Sequence, residues 1–203
     1  MPVVHVAVEV GAKKSFASAL DWPGWARAGR NEHAAIGTLL DYVGRYRVVT
    51  DRAGIEFRPG RVDVVERLAG SASTDFGAPG TIAERERRDL RKPEAERIAA
   101  LVTASWEVFD EVVAGAPAEL RKGPRGGGRD RDKMVQHVVE AEHSYARQLG
   151  LDEPTQRPDL RGDIVAAIRQ RPTDTAWPVR YAARRIAWHV LDHAWEIEDR
   201  REV

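Results

Sequence analysis

The sequence predicts an α+β fold, in which a small N-terminal β-β-α-β module precedes a four-helix bundle. Two observations support this prediction. β-branched residues dominate segment 3–10, as in a strand, and apolar residues recur with a helical period over most of the chain beyond residue 93. The 203 residues, 42% of them apolar, suffice for a packed core. We expect a module at 1–80, a charged linker at 81–92 and a helical bundle at 93–203.

The N-terminal module begins with a predicted hairpin, whose strands at 3–10 and 15–20 are joined by a turn at 11–14. Proline and glycine at 21–25 then interrupt regular structure. Asn31 is a good N-cap for a helix over about 32–47. The remaining expectations for this module are short strands at 55–57 and 61–68, and a loop at 70–80.

The charged run at 81–92 is expected to be a solvated linker or the exposed face of a helix. Pro93 suits the first turn of the next helix, which Gly115 and Pro117 should end. One face of this helix carries Ile98, Leu101, Val102, Ser105, Val108, Phe109 and Val112.

Three more helices are expected. A glycine-rich, basic loop at 121–133 leads to the second long helix, which Asp130 or Asp132 can cap and which runs through about residue 149. A shorter helix follows at about 160–170, and a last long helix at about 179–200 begins after Pro178. Four helices connected in this way suggest a bundle.

Composition and charge exclude several classes of protein. The 32 basic residues equal the 32 acidic ones, which argues against a general binder of nucleic acid or anionic membranes. No apolar run reaches the roughly 20 residues that span a bilayer, and no signal peptide is evident, so we expect a cytoplasmic protein. The absence of cysteine excludes disulfides, thiolate zinc sites and cysteine nucleophiles, so any metal site must use nitrogen and oxygen ligands.

The histidines are the candidate metal ligands. His189 and His193 are four residues apart on the last helix, so both rings lie on one face and can reach one ion. The pair alone is equally compatible with a helix that carries two such residues by chance. His137 has apolar neighbours and should point inward as a third ligand, whereas His143 should lie on the surface. A three-nitrogen site would leave coordination positions open for water or substrate.

Two residues near the pair are candidates for supporting roles. Arg185 lies four residues before His189 on the same stripe and is a candidate cofactor-binding residue. Glu196, three residues after His193, could orient a ligand or serve as a catalytic base. The simpler interpretation of Glu196 is a surface side chain paired with Arg200.

Two segments resemble a known family. The run 133–142 (KMVQHVVEAE) is similar to the second-helix motif of the DinB-like (damage-inducible) superfamily, and 187–196 (AWHVLDHAWE) is similar to its HxxxH motif. The resemblance covers roughly residues 93–203. It implies a four-helix bundle and a divalent metal, commonly zinc or nickel, held by His137, His189 and His193. It also implies a transferase that uses a low-molecular-weight thiol such as mycothiol or bacillithiol, or a metal-dependent hydrolase.

The first eighty residues resemble the small HicB-like antitoxin fold more weakly, through their element order and residues 20–24 (LDWPG). That resemblance implies a module that binds a protein or forms oligomers, or one that encloses one end of the metal site. We therefore expect a metal-dependent thiol transferase acting on a small molecule. The alternatives are a hydrolase with a metal-bound water and a protein-binding module without catalysis. Six tryptophans leave room for an apolar interface, so a homodimer is one arrangement we consider.

Overall fold

The computed structural model describes residues 2–123 and 127–201 and has a mixed α+β architecture. A four-stranded sheet and seven α-helices, with two short 3₁₀ turns, make up the described part. The strands are β1 (Val3–Val10), β2 (Ser15–Ala19), β3 (Ala26–Gly29) and β4 (Arg61–Ala69). The helices are α1 (Glu32–Asp41), α2 (Val43–Arg52), α3 (Ala72–Phe76), α4 (Lys92–Ala114), α5 (Arg131–Gln148), α6 (Leu160–Gln170) and α7 (Val179–Arg200).

The sheet has the strand order β3-β2-β1-β4. β1 pairs antiparallel with β2, and the Gly11 amide donates to the Lys14 carbonyl at 2.8 Å, so the predicted hairpin is confirmed. β4 lies parallel to β1 on the other side and confirms the strand expected at 61–68. β1 is an interior strand of the sheet, with a neighbour on each side, and its residues Val4, Val6 and Val8 are buried.

The β-β-α-β order predicted for the module is incomplete, because the structure adds strand β3 and a second helix. β3 has only four residues, too few for an alternation of apolar and polar residues to be recognised. The predicted helix 32–47 begins as expected, since the Asn31 side chain accepts from the Ala34 amide at 2.9 Å. It is interrupted at Tyr42, whose amide bonds to Leu39 at 3.2 Å in a tighter turn, and α2 then continues to Arg52.

Two further expectations for the module were wrong. The segment 55–57 is not a strand, because the Ile55 amide closes the end of α2 on Thr50 at 2.9 Å and the Phe57 ring packs edge-on against Trp22 and Trp25. The loop expected at 70–80 contains the one-turn helix α3.

The four predicted helices of the second half are α4 to α7. Pro93 lies in the first turn of α4 and Gly115 follows its end, and all seven residues predicted for its inner face are buried. The bounds of α6 and α7 agree with those predicted. α4 packs against α6 and α7, and α5 packs against α7. Residues 124–126 of the predicted glycine-rich loop lie outside the described residues.

The sheet packs on α7. The Phe16 ring of β2 meets the Trp188 ring edge-on at 5.9 Å, and Arg27 of β3 forms an ion pair with Asp192 at 2.7 Å. One hydrophobic core contains residues of the sheet, of α1 and α2, and of the later helices. The division into parts at residues 80 and 93 stays a prediction.

The charged segment 81–92 is not a solvated linker throughout. Glu86, on a 3₁₀ turn at Glu84–Arg87, is 3% exposed and forms an ion pair with Arg184 of α7. The Arg184 side chain also donates to the Thr81 carbonyl at 3.0 Å, and Tyr181 donates to that of Gly80 at 2.9 Å. These contacts hold the segment against α7. No helix in the described part of the chain is both long and apolar enough to cross a membrane.

Candidate metal centre

Three histidine side chains converge between α5 and α7. His137 comes from α5, and His189 and His193 come from successive turns of α7. One ring nitrogen of each histidine lies within 4.8 Å of the others, and the Nε2 atoms of His137 and His189 are 3.2 Å apart. Two imidazole nitrogens bound to one tetrahedral ion at about 2.0–2.1 Å lie about 3.4 Å apart. The separation therefore fits two ligands of a single ion.

The sequence around each histidine explains its orientation. On α5, the buried residues Met134 and Val138 flank His137 and turn that side of the helix toward α7. On α7, the four-residue spacing puts His189 above His193 on one face. Their rings lie 4.7 Å apart, nearly perpendicular, and each meets the His137 ring at about 5 Å.

Burial favours the neutral, metal-binding form of two of these imidazoles, those of His137 and His189. His189 and His193 are each 8% exposed, and His137 is partly buried. Burial, with the neighbouring His193 and His137, lowers the pKa of His189 to about 2, and burial also lowers the pKa of His137. Neutral imidazole is the ligand form, so the lowered pKa values of His137 and His189 favour binding of zinc, nickel or a similar divalent ion at neutral pH.

Glu196 contacts both partners that the sequence suggested for it. One carboxylate oxygen lies 3.3 Å from Nδ1 of His193, and the other accepts from Arg200 at 2.6 Å. The hydrogen bond from His193, followed by that from Arg200, lowers the pKa of Glu196. A carboxylate can only accept, so Nδ1 of His193 carries the proton, and in the neutral ring Nε2 is the nitrogen with the lone pair. Metal-binding histidines commonly have this carboxylate partner.

Arg185 lies beside the cluster but does not hydrogen-bond to any of the three histidines. Its guanidinium donates to the Pro79 carbonyl at 2.9 Å and to the Tyr145 hydroxyl at 3.3 Å, and stacks over the Trp188 ring. Its Nε is buried and has no partner among the described residues. Its charge nevertheless contributes to the low pKa of His189.

Tyr145 borders the centre and was not identified from the sequence. Its ring meets that of His189 edge-on at 5.8 Å. Burial, opposed by Arg185, raises the pKa of Tyr145. Spacing gives only a weak signal, because Tyr145 follows His137 by eight residues, which places it about 80° around α5 from His137.

The residues fit a bound divalent ion in donor chemistry and separation. Nδ1 of His189 is buried and has no hydrogen-bond partner among the described residues, so this ligand lacks the support that His193 receives from Glu196. Its Nε2, by contrast, faces the other histidines. Three ligands leave at least one position of a tetrahedral ion for a substrate atom.

The other described histidines lie apart from the centre. His33 is exposed in the first turn of α1, and His5 bonds through Nδ1 to Asp21 at 2.6 Å. His143, expected on the surface, is half-buried on α5 outside the cluster.

Comparisons of the chain with models of known protein families, with curated proteins and with solved structures returned no match.

Proposed function

We propose that His137, His189 and His193 bind one divalent ion, zinc or nickel, and that the protein is a metal-dependent transferase of the DinB-like kind. The observation that carries the proposal is the convergence of three imidazoles from two helices, with ring nitrogens within 4.8 Å of one another. A chance pair on one helix would not bring a third histidine from a second helix to the same point. The DinB-like bundle arrangement is part of this proposal.

We propose that one substrate of this transferase is a low-molecular-weight thiol of the mycothiol or bacillithiol type. The chain has no cysteine, so thiol chemistry here requires a thiol from outside. A divalent ion held by the three histidines would act as a Lewis acid and favour the ionised form of a thiol that approaches it.

The charged groups around the centre suit an anionic sulfur. Arg129 and Arg185 lie near enough that their positive charges help to lower the pKa of His189. These two positive charges, opposed at His137 by Glu140 and Glu196, would help to stabilise a thiolate. Glu196 would act as a positioning residue that fixes the His193 ring, since both of its oxygens already accept hydrogen bonds. This use of Glu196 argues against a role as the free base that a hydrolase would need.

Elemental analysis of the purified protein tests the metal centre. We expect about one zinc or nickel per chain in the wild type, and a loss of most of it in His137→Ala and His193→Ala. His143→Ala, on the same helix as His137 but outside the cluster, is the matched control and should keep its metal. Unchanged metal content in both cluster variants would overturn the site.

A conjugation assay tests the reaction. In the expected step the thiol gives up its proton to solvent, its sulfur forms a bond to the carbon of an electrophile, and the leaving group departs with its electron pair. Metal-loaded protein should accelerate this reaction of bromobimane with mycothiol or bacillithiol, and His193→Ala should not. Hydrolysis of ester substrates without any thiol, together with no thiol conjugation, would favour the hydrolase instead. Intact metal binding without either activity would contradict the transferase and leave a binding role.

A further inference from the structure

A cavity of about 790 Å³ lies at the N-terminal end of α7, whereas His193 lies toward the C-terminal end of the same helix. Its walls come from residues 86–90, from residues 170–173, 175 and 176 at and beyond the end of α6, and from the first turn of α7. Val179 in its wall precedes His189 by ten residues, which is about 15 Å of helix rise. The cavity is therefore distinct from the metal centre.

Four arginines line this cavity: Arg87, Arg88, Arg171 and Arg180. No carboxylate of residues 2–123 or 127–201 forms an ion pair with the first three. The guanidinium of Arg171 reaches only the Leu90 carbonyl, at 3.2 Å.

Two acidic residues also contribute to the wall, and they offset only part of this charge. Glu86 is held by Arg184 in the buried ion pair, so its charge is neutralised from behind. Asp89 is exposed and forms no ion pair among the described residues. Arg180 is shared, since its guanidinium contacts Glu94 at 3.3 Å and the Asp89 carbonyl at 3.2 Å. The wall thus keeps an excess of positive charge.

The beginning of α7 adds backbone donors to the same wall. Pro178 occupies the N-cap position and provides no side-chain cap, and the first intrahelical hydrogen bond is made by the Ala182 amide. In the described part of the chain no oxygen accepts from the amides of Val179, Arg180 or Tyr181. A 22-residue helix carries a partial positive charge at this end. The Nε of Arg180 is buried there and also has no partner.

We propose that this cavity binds a small molecule that carries a phosphate or pyrophosphate group. Guanidinium groups match phosphate oxygens in geometry and charge, and free amides at a helix N-terminus bind the same group. The volume lies within the 300–1,000 Å³ that is usual for small-molecule sites. Leu90, Pro172 and Ala176 provide apolar wall for the rest of such a ligand.

Titration of the full-length ¹⁵N-labelled protein with inorganic pyrophosphate, followed by NMR of the backbone amides, tests this proposal. The largest shifts should fall on Val179, Arg180 and Tyr181. Arg87→Gln/Arg88→Gln should weaken pyrophosphate binding at least tenfold, because two positive charges are removed from the cavity wall. Both side chains are exposed, so their replacement should leave the fold intact. Arg58→Gln/Arg61→Gln makes the same change in net charge on the exposed surface of the N-terminal module and should change binding less than twofold.

Three results would overturn the site. The first is no saturable binding of pyrophosphate by the wild type up to about 10 mM, a concentration that would reveal even a millimolar dissociation constant. The second is equal weakening by both double variants, which would reveal only a general charge effect. The third is shifts confined to the amides around His189 and His193, which would place the anion at the histidines. Citrate serves as a second probe, and tighter binding of citrate than of pyrophosphate would contradict the choice of phosphate.

Discussion

Replacement of Arg184 by methionine should destabilise the protein strongly, because it leaves a buried carboxylate without its partner. Arg184 is 4% exposed and Glu86 is 3% exposed. The guanidinium contacts both carboxylate oxygens, at 2.5 and 3.0 Å, and joins α7 to the segment that follows the sheet. Methionine keeps much of the apolar volume, so the main change is the loss of charge and hydrogen bonds.

The size of the effect follows from burial. Removing one partner of a buried ion pair typically costs about 3–5 kcal/mol. For a chain of this length each kcal/mol lowers the melting temperature by roughly 2–4 °C, so Arg184→Met should lower it by about 6–20 °C. In the double variant Arg184→Met/Glu86→Gln the buried charge is gone and the glutamine can still accept from the Ala83 amide. At least half of the lost stability should return.

Thermal unfolding followed by circular dichroism, with urea unfolding as a second measurement, provides the assay. Arg67→Met is the matched control, because Arg67 also contacts both oxygens of a glutamate, Glu32, but at an exposed position. Its melting temperature should stay close to that of the wild type. Equal effects of Arg184→Met and Arg67→Met would refute the reasoning, as would a double variant no more stable than Arg184→Met alone.

Three further predictions concern packing, pH and the metal centre. Gly29→Ala should lower the free energy of unfolding by at least about 2 kcal/mol, because the new Cβ would lie 2.2 Å from a backbone nitrogen of α1. Gly37 lies in open space on α1, so Gly37→Ala should raise that free energy by about 0.5–1 kcal/mol. Urea unfolding measures both changes. The hydrogen bond from Arg91 is the main cause that lowers the pKa of Glu94 from 4.5 to about 2. At pH values between these two, the unfolded state therefore binds more protons than the folded state. The stability advantage of the wild type over Glu94→Gln should be full above pH 5 and disappear as the pH falls toward 2. Glu196→Gln should weaken metal binding about 10–100-fold in a chelator competition, because the His193 ring loses its anionic partner.

Each of these predictions has a result that would contradict it. A melting curve of Gly29→Ala indistinguishable from that of Gly37→Ala would mean that β3 does not lie tightly on α1. A difference between wild type and Glu94→Gln that grows on acidification would reverse the sign derived from the lowered pKa. For the metal centre, Glu198→Gln on the same helix is the control, and an equal loss of affinity in Glu198→Gln and Glu196→Gln would remove any special role of the carboxylate beside His193.

Local patterns predicted the elements that have strong signals of their own. The β-branched run of β1, the Asn31 cap, the helical periodicity of α4 and the prolines before α4 and α7 all act within a few residues. The structure agrees with them almost to the residue. The elements that sequence reasoning missed depend on distant contacts. β3 is defined by its pairing with β2, and Phe57 is placed by aromatic rings from earlier in the chain.

The same distinction applies to the candidate centre. The spacing of His189 and His193 indicates one face of a helix, and the apolar neighbours of His137 indicate its inward side, so the cluster could be anticipated. Tyr145 beside His189 was missed because its role depends on how α5 packs against α7. The burial of Glu86 was missed for a similar reason, since its run of charged neighbours resembles a solvated segment and only Arg184 of α7 explains its position.

X-ray absorption at the metal edge, on protein loaded with one equivalent of zinc or nickel, tests the central claim most directly. Three imidazole ligands should give about three nitrogen neighbours at about 2.0–2.1 Å for zinc, with the outer-shell pattern of histidine rings. His137→Ala should lower the histidine number to two. A spectrum with only oxygen neighbours, or one that His137→Ala leaves unchanged, would contradict the assignment of the centre.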